Sequence, residues 1–155
     1  MANDAPYDGK LVSAPPLIHE RQVLVSYLSH ETAIIYNSPR VFVHFRVHEP
    51  TGLSEPFLYR PYRVHSLIGK PRKRGRYRLR HSHLLYRHFV SLTGAATRPD
   101  RVSLKSLEGA MIRASVRTVT IDWRQRSLPE ALYYSVIDEL LAVEAGALEA
   151  SRHPH

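Results

Sequence analysis

Between Arg40 and His48 the chain reads RVFVHFRVH. A period of two puts Val41, Val43, Phe45 and Val47 on one side of an extended backbone and Phe42, His44, Arg46 and His48 on the other. A helix would scatter these residues around its axis, so the segment is a strand with one face in a core. The rest of the fold has to be assembled around a sheet.

Further elements follow from the same patterning. Arg21–His30, RQVLVSYLSH, is a strand rich in Val, Leu and Tyr. Glu49–Gly52 is turn chemistry, and Pro56–Leu67, PFLYRPYRVHSL, reads as the returning third strand of a hairpin. Pro61 cannot donate to a ladder, which places that strand at an edge or a bulge. His83–Leu92 carries Leu84, Leu85, Phe89 and Leu92 at helical spacing, with Ser82 as the candidate cap and Gly94 as the stop. Ala110–Trp123 alternates Ile112, Ala114 and Val116 against Met111, Arg113, Ser115 and Arg117. Leu132–Ile137 is the last strand, although LYYSVIDELLAV also fits a helix. Residues 1–19 read as a flexible leader, 20–142 as one domain and 143–155 as a flexible tail. The expected fold is all-β with one short helix. Five strands with a helix between the third and fourth is the OB-fold arrangement, a five-stranded Greek-key barrel, here with a basic loop between strand three and the helix.

At 155 residues and 43% hydrophobic content, the chain fits a single globular domain. No stretch approaches the roughly 20 apolar residues of a membrane span, and the acidic, polar N-terminus is no secretory signal. Cysteine is absent, which removes disulfides, thiolate chemistry and sulfur ligands for zinc. A cytoplasmic location is the expectation. The formal charge is +8 and the pI about 10.0, a balance that attracts polyanions. It is also unevenly spread. Residues 56–99 hold eleven Lys/Arg and no acid, whereas 127–151 hold five acids and no Lys/Arg.

The chemistry sits in the basic half. Phe42, His44, Arg46 and His48 recur at about 6.6 Å along one strand face, a combination that suits single-stranded nucleic acid, with cations on phosphates and rings on bases. The third strand adds Tyr59 and Arg63 on one face and Arg60 and Tyr62 on the other. Then comes GKPRKRGRYRLR, residues 69–80, with Lys70, Arg72, Lys73, Arg74, Arg76, Arg78 and Arg80. Its Pro, its Gly and its charge density read as a mobile loop leading into an arm along a phosphate backbone, with Tyr77 available for stacking. An address signal and a minor-groove hook share this composition, although the hook continues with Pro where Tyr77 stands here. Catalysis is not expected: no nucleotide-binding loop, nucleophile elbow or zinc-protease motif occurs, and the acids are scattered. No cofactor or metal is expected either. His81, His83 and His88 lie in an acid-free segment, and His44 and His48 are about 13 Å apart. The acidic end (Asp138, Glu139 and the tail acids) reads as a solvated element end rather than a competitor for the basic groove.

The runs VFVHFRV, GLSEPFLYRPYRVHSLIGKP, LYRHFVSLTG and LKSLEGAMIRASVRTVTIDWRQRSLPEALYYSVIDEL resemble small OB-fold single-stranded-DNA-binding proteins of phages and mobile elements, over about residues 40 to 141. The resemblance implies a protein that coats single-stranded DNA with little sequence preference, as an oligomer or cooperatively, alongside replication or recombination proteins. It implies Phe42, His44, Arg46, Tyr59, Arg60, Tyr62 and Arg63 as binding residues, joined by Arg113 and Arg117. The stretch from Lys70 to Arg80 lies outside that pattern. A duplex-DNA or RNA binder using the basic arm alone is the alternative, and a phage assembly protein or host inhibitor is another.

Overall fold

A computed structural model describes residues 17–18, 21–48, 57–94, 98–122 and 124–144. Among them, in chain order, are β1 (Gln22–Ile35), β2 (Ser38–Val47), β3 (Phe57–Arg63), the short β4 (Ser66–Ile68) and β5 (Arg76–Arg78), helix α1 (Leu84–Thr93), β6 (Ile112–Val119) and β7 (Tyr134–Val143). Five strands form one antiparallel sheet in the order β3-β2-β1-β6-β7, and β4 pairs with β5 in a separate hairpin. The ambiguous LYYSVIDELLAV segment is strand from Tyr134 on, after a 3₁₀ turn at Glu130–Leu132, and the third strand with Pro61 lies at an edge. The turn expected at Glu49–Gly52 lies outside the described residues.

The sheet is organised by β1, which is longer than its sequence signal. It continues to a two-residue turn in which Tyr36 (φ 50) and Asn37 (φ 60) are both left-handed, the twist that joins adjacent antiparallel strands. Midway along β1 the register with β2 shifts between Tyr27 and Ser29, leaving Leu28 as the extra residue. Such a bulge bends a strand and increases its twist. Before the bulge Gln22–Val25 pair with β6 (Ile112–Ser115), and β2 pairs with β1 on both sides of the bulge, from Val25 to Ile35. Val41, Val43, Phe45 and Val47 are buried as their alternation predicts, packed with Val23 and Val25 of β1 and Ile112 of β6.

The expected barrel does not close. β3 and β7 are the two edges of an open sheet, and side chains fill the seam where a backbone ladder would run. The Arg60 guanidinium donates to the carbonyl of Asp138 on β7 (3.0 Å) and to that of Pro61 on its own strand (2.6 Å). Pro61 has no N–H to offer. On the other side of the sheet, Phe42 and Tyr59 pack against Val136.

Helix α1 packs on β7 and β3. Its buried residues are Leu85, His88, Phe89 and Leu92; Leu84, expected inside, is 47% exposed. His83 rather than Ser82 holds the N-cap position, and Gly94 (φ 70) ends the helix as expected. The leader meets the domain at Ile18, whose backbone N–H donates to Ser135 Oγ (2.8 Å). β7 runs one residue past the expected end of the domain, to Val143, and Glu144 N–H donates to Met111 O.

A buried polar pair joins helix and sheet: Tyr62 O–H meets His88 Nδ1 at 2.8 Å. Burial, and then the charge of Arg60, holds the His88 imidazole down to about 4 from 6.5. Burial also lowers the imidazoles of His30 and His44. The unfolded chain therefore takes up protons before the folded one as pH falls. Stability is full above pH 6.5 and drains toward pH 4, by at most about 3 kcal/mol for His88. Thermal melts across that window should show a falling melting temperature, with a shallower fall in His88→Gln. A flat profile in the native chain would contradict the buried neutral imidazole.

Candidate nucleic-acid interface

Composition alone makes residues 69–80 a mobile loop; the structure corrects that expectation. Leu67 pairs with Tyr77 and Ile68 with Arg76 across the β4–β5 hairpin, and the segment between is stitched to β1. Thr32 N–H donates to Arg72 O (2.9 Å), Arg72 N–H donates to Thr32 Oγ1 (3.0 Å), and Arg74 N–H donates to His30 O (2.8 Å). Glu31 and Lys73 form a bridge between these contacts. The His30 ring completes the seam. Its Nε2 lies 3.1 Å from Gly75 O, and a carbonyl only accepts, so Nε2 carries the proton. Nδ1 is then the acceptor for Tyr27 O–H at 2.7 Å. Gly75 is buried against Thr32, and a Cβ there would clash with the threonine side chain.

Alternation along β5 decides what the arm shows to solvent. Arg76 and Arg78 point out, with Lys70, Arg72, Lys73, Arg74 and Arg80 also exposed. Tyr77 points in, edge-on to His30 at 6.0 Å between ring centroids, packed against the main core, its hydroxyl pKa pushed up by burial. Tyr77 is therefore no stacking platform; it is the hydrophobic anchor that lays two arginines outward.

Between the arm and the 3₁₀ turns at Pro99–Arg101 and Leu104–Leu107 lies a cleft of about 890 Å³. Arg76, Arg78, Arg80 and Lys105 line it, together with Ser103 and His65. The acid in its lining, Asp100, is taken by Arg98 at 2.9 Å. Arg74 faces Glu108 at 3.6 Å. The cleft thus presents several cations to whatever enters it. Lys105 and His65 were not singled out from sequence, because nothing local places either beside the arm.

The strand-two and strand-three residues divide. Phe42, His44, Arg46, Tyr59 and Arg63 share one sheet face, and Arg60 and Tyr62 lie on the other, as the alternation requires. Their expected role as base-stacking rings is corrected. Phe42 is 2% exposed and Tyr59 6%, tilted against each other at 6.1 Å. Tyr59 is also hydrogen-bonded to Tyr134, and burial raises its hydroxyl pKa. Tyr62 is buried under α1, with Arg60 4.7 Å from its ring centroid. His44 is half-buried, 3.8 Å from Glu31. Arg46 is exposed and stands over Phe57 at 5.8 Å. Phe57 (43% exposed) and Tyr36 (65%) are rings that remain open to solvent. Arg113 and Arg117 are engaged by the acidic end of the chain, Arg113 with Glu144 (3.0 Å) and Arg117 with Asp138 (3.4 Å).

Among the described residues no three His, Asp or Glu side chains come together as a metal site. His81 packs on Tyr86, His83 Nδ1 accepts from Arg80 N–H, and His88 turns inward, so the helix-start histidines diverge. No helix among these residues is long and apolar enough to cross a membrane. Comparison with protein-family models, with curated proteins and with solved structures finds no match.

Proposed function

We propose that this chain binds single-stranded nucleic acid by its phosphate backbone, in the cleft beneath the folded basic arm, with little sequence preference. The observation that carries this reading is the arm itself. Arg76, Arg78 and Arg80 are exposed on a backbone held by hydrogen bonds to β1. Phosphate contacts from such a surface supply affinity without reading bases.

The preference for a single strand draws on the sheet. Its order, β3-β2-β1-β6-β7, brings both edges together at the Arg60–Asp138 seam with α1 packed on both. That supports a partly open OB-like barrel, an architecture that binds oligonucleotides. The bound strand is held by cations first. The exposed rings Phe57 and Tyr36 replace Phe42, Tyr59 and Tyr62 as candidate stacking partners. A role in replication or recombination of DNA belongs to the same reading.

Fluorescence anisotropy with a labelled dT oligomer, a matched duplex and single-stranded RNA, across a salt series, tests it. The dT oligomer should bind more tightly than the duplex, with affinity falling log-linearly in salt. Preference for duplex at every salt would assign the arm to double-stranded DNA instead. Preference for the RNA would move the substrate class to RNA.

A further inference from the structure

Arg40 of β2 stands directly opposite Arg63 of β3 in the ladder. Like charges placed across antiparallel strands repel, and the Arg40 Nε is buried with no acceptor. A buried donor without a partner costs free energy and calls for an explanation. Among the described residues no carboxylate forms an ion pair with either guanidinium. Burial, and then Arg63, lowers the Arg40 pKa, the shift of a cation that has company and no counter-charge. An oxyanion received between the two guanidinia would satisfy the orphan donor and cancel the repulsion together, since the arginine fork matches phosphate geometry.

We propose that Arg40 and Arg63 hold a phosphodiester of the same nucleic-acid strand that occupies the cleft, the strand passing around the C-terminal end of β3 at His65. This rests on the single-strand reading above. The two sites lie on opposite sheet faces: Val41, next to Arg40, belongs to the core side, where the arm's Tyr77 also packs. They are nevertheless close along the chain. His65 follows Arg63 by two residues, a reach of at most about 7 Å. The His65 ring lines the cleft and accepts from the Arg80 guanidinium at 3.2 Å. Arg78 and Arg80, then His65, then Arg63 and Arg40 form a path around the end of β3, and all of these but Arg40 come from the acid-free segment 56–99.

The test compares Arg40→Gln/Arg63→Gln with the native chain on two dT oligomers, about 5 and about 16 nucleotides long, the two ends of the site-size range of such folds. The long oligomer should bind at least about tenfold more weakly to the double variant. Its log K against log salt slope should shrink by about 0.7, the value for one phosphate on a single strand. The short oligomer, which the cleft alone accommodates, should bind within about twofold of native. Arg63→Gln alone, at an exposed side chain that leaves the fold undisturbed, should show the same length dependence at smaller size. Native binding that is unchanged in both variants, or reduced equally for both lengths, overturns the crossing and leaves the cleft reading standing. Failure of the native chain to bind either oligomer overturns the cleft reading, and the crossing with it.

Discussion

Replacing Arg76, Arg78 and Arg80 together by glutamine should weaken dT-oligomer binding by about three orders of magnitude while leaving the melting temperature nearly unchanged. Each charge-assisted contact with a phosphate contributes about 1.5 kcal/mol, on the order of tenfold. Three such losses also flatten the salt dependence by about 2 log units per log unit of salt. The fold is spared because the three side chains are exposed and do little for it. Arg78 reaches Ser66 Oγ only at 3.5 Å, and Arg80 meets the exposed His65 ring. The arm's attachment runs instead through backbone atoms and through Tyr77. Anisotropy titrations paired with circular-dichroism melts separate the two effects. Native affinity in the triple variant would remove the arm from the interface.

Gly75→Ala should give the converse result, losing stability and binding together. The glycine's φ is not the reason; space is. A Cβ at this position would overlap Thr32 Oγ1 and lie 2.9 Å from Thr32 Cγ2 and 3.1 Å from Arg72 O. Thr32 cannot turn away cheaply, since its hydroxyl both donates to Arg72 O (3.1 Å) and accepts from Arg72 N–H (3.0 Å). Relief requires the arm to lift off β1. Overpacking of this kind costs about 1–3 kcal/mol, a fall of roughly 2–10 °C in a chain of this size. The freed arm then meets its ligand with the ordering cost restored, so dT affinity drops as well. Adding Thr32→Ala removes the obstruction and the two hydroxyl bonds at once. The double variant should therefore lose less than the sum of the single changes in a double-mutant cycle. Strict additivity would show that the two residues do not meet as described.

What the sequence reveals of this molecule is what depends on near neighbours. Val41, Val43, Phe45 and Val47 declare a buried face by period alone, and Pro61 declares an edge by chemistry alone. The same alternation also states that Phe42 points the other way, but not what waits there. The answer is Val136, brought back by the coiling of a sheet whose last strand lies far along the chain. Tyr77 fails for the same reason, since its packing partner His30 sits in β1. Composition reads the arm as mobile because Thr32 is 40 residues from Arg72, and seven cations in twelve residues carry no trace of that tether. The turn at Tyr36–Asn37 is not declared by the sequence, since asparagine suits positive φ but a ring is an uncommon choice there. Arg40 and Lys105 could not be found locally at all, because their importance comes from what faces them.

The partners of β1 lie at very different distances along the chain. β1 finds β2 across a two-residue turn, at almost no loop-closure cost. Arg72 must return over 40 residues to its contact with Thr32, and the β6 partners of Gln22–Val25 come much later in the chain. Local pairing comes first and distant pairing after. Every backbone partner that tethers the arm (His30, Thr32 and the strand that carries them) precedes it in the chain. As the chain emerges from its N-terminus, the β1–β2 hairpin can therefore dock and order its most highly charged segment before β6 and β7 have been made.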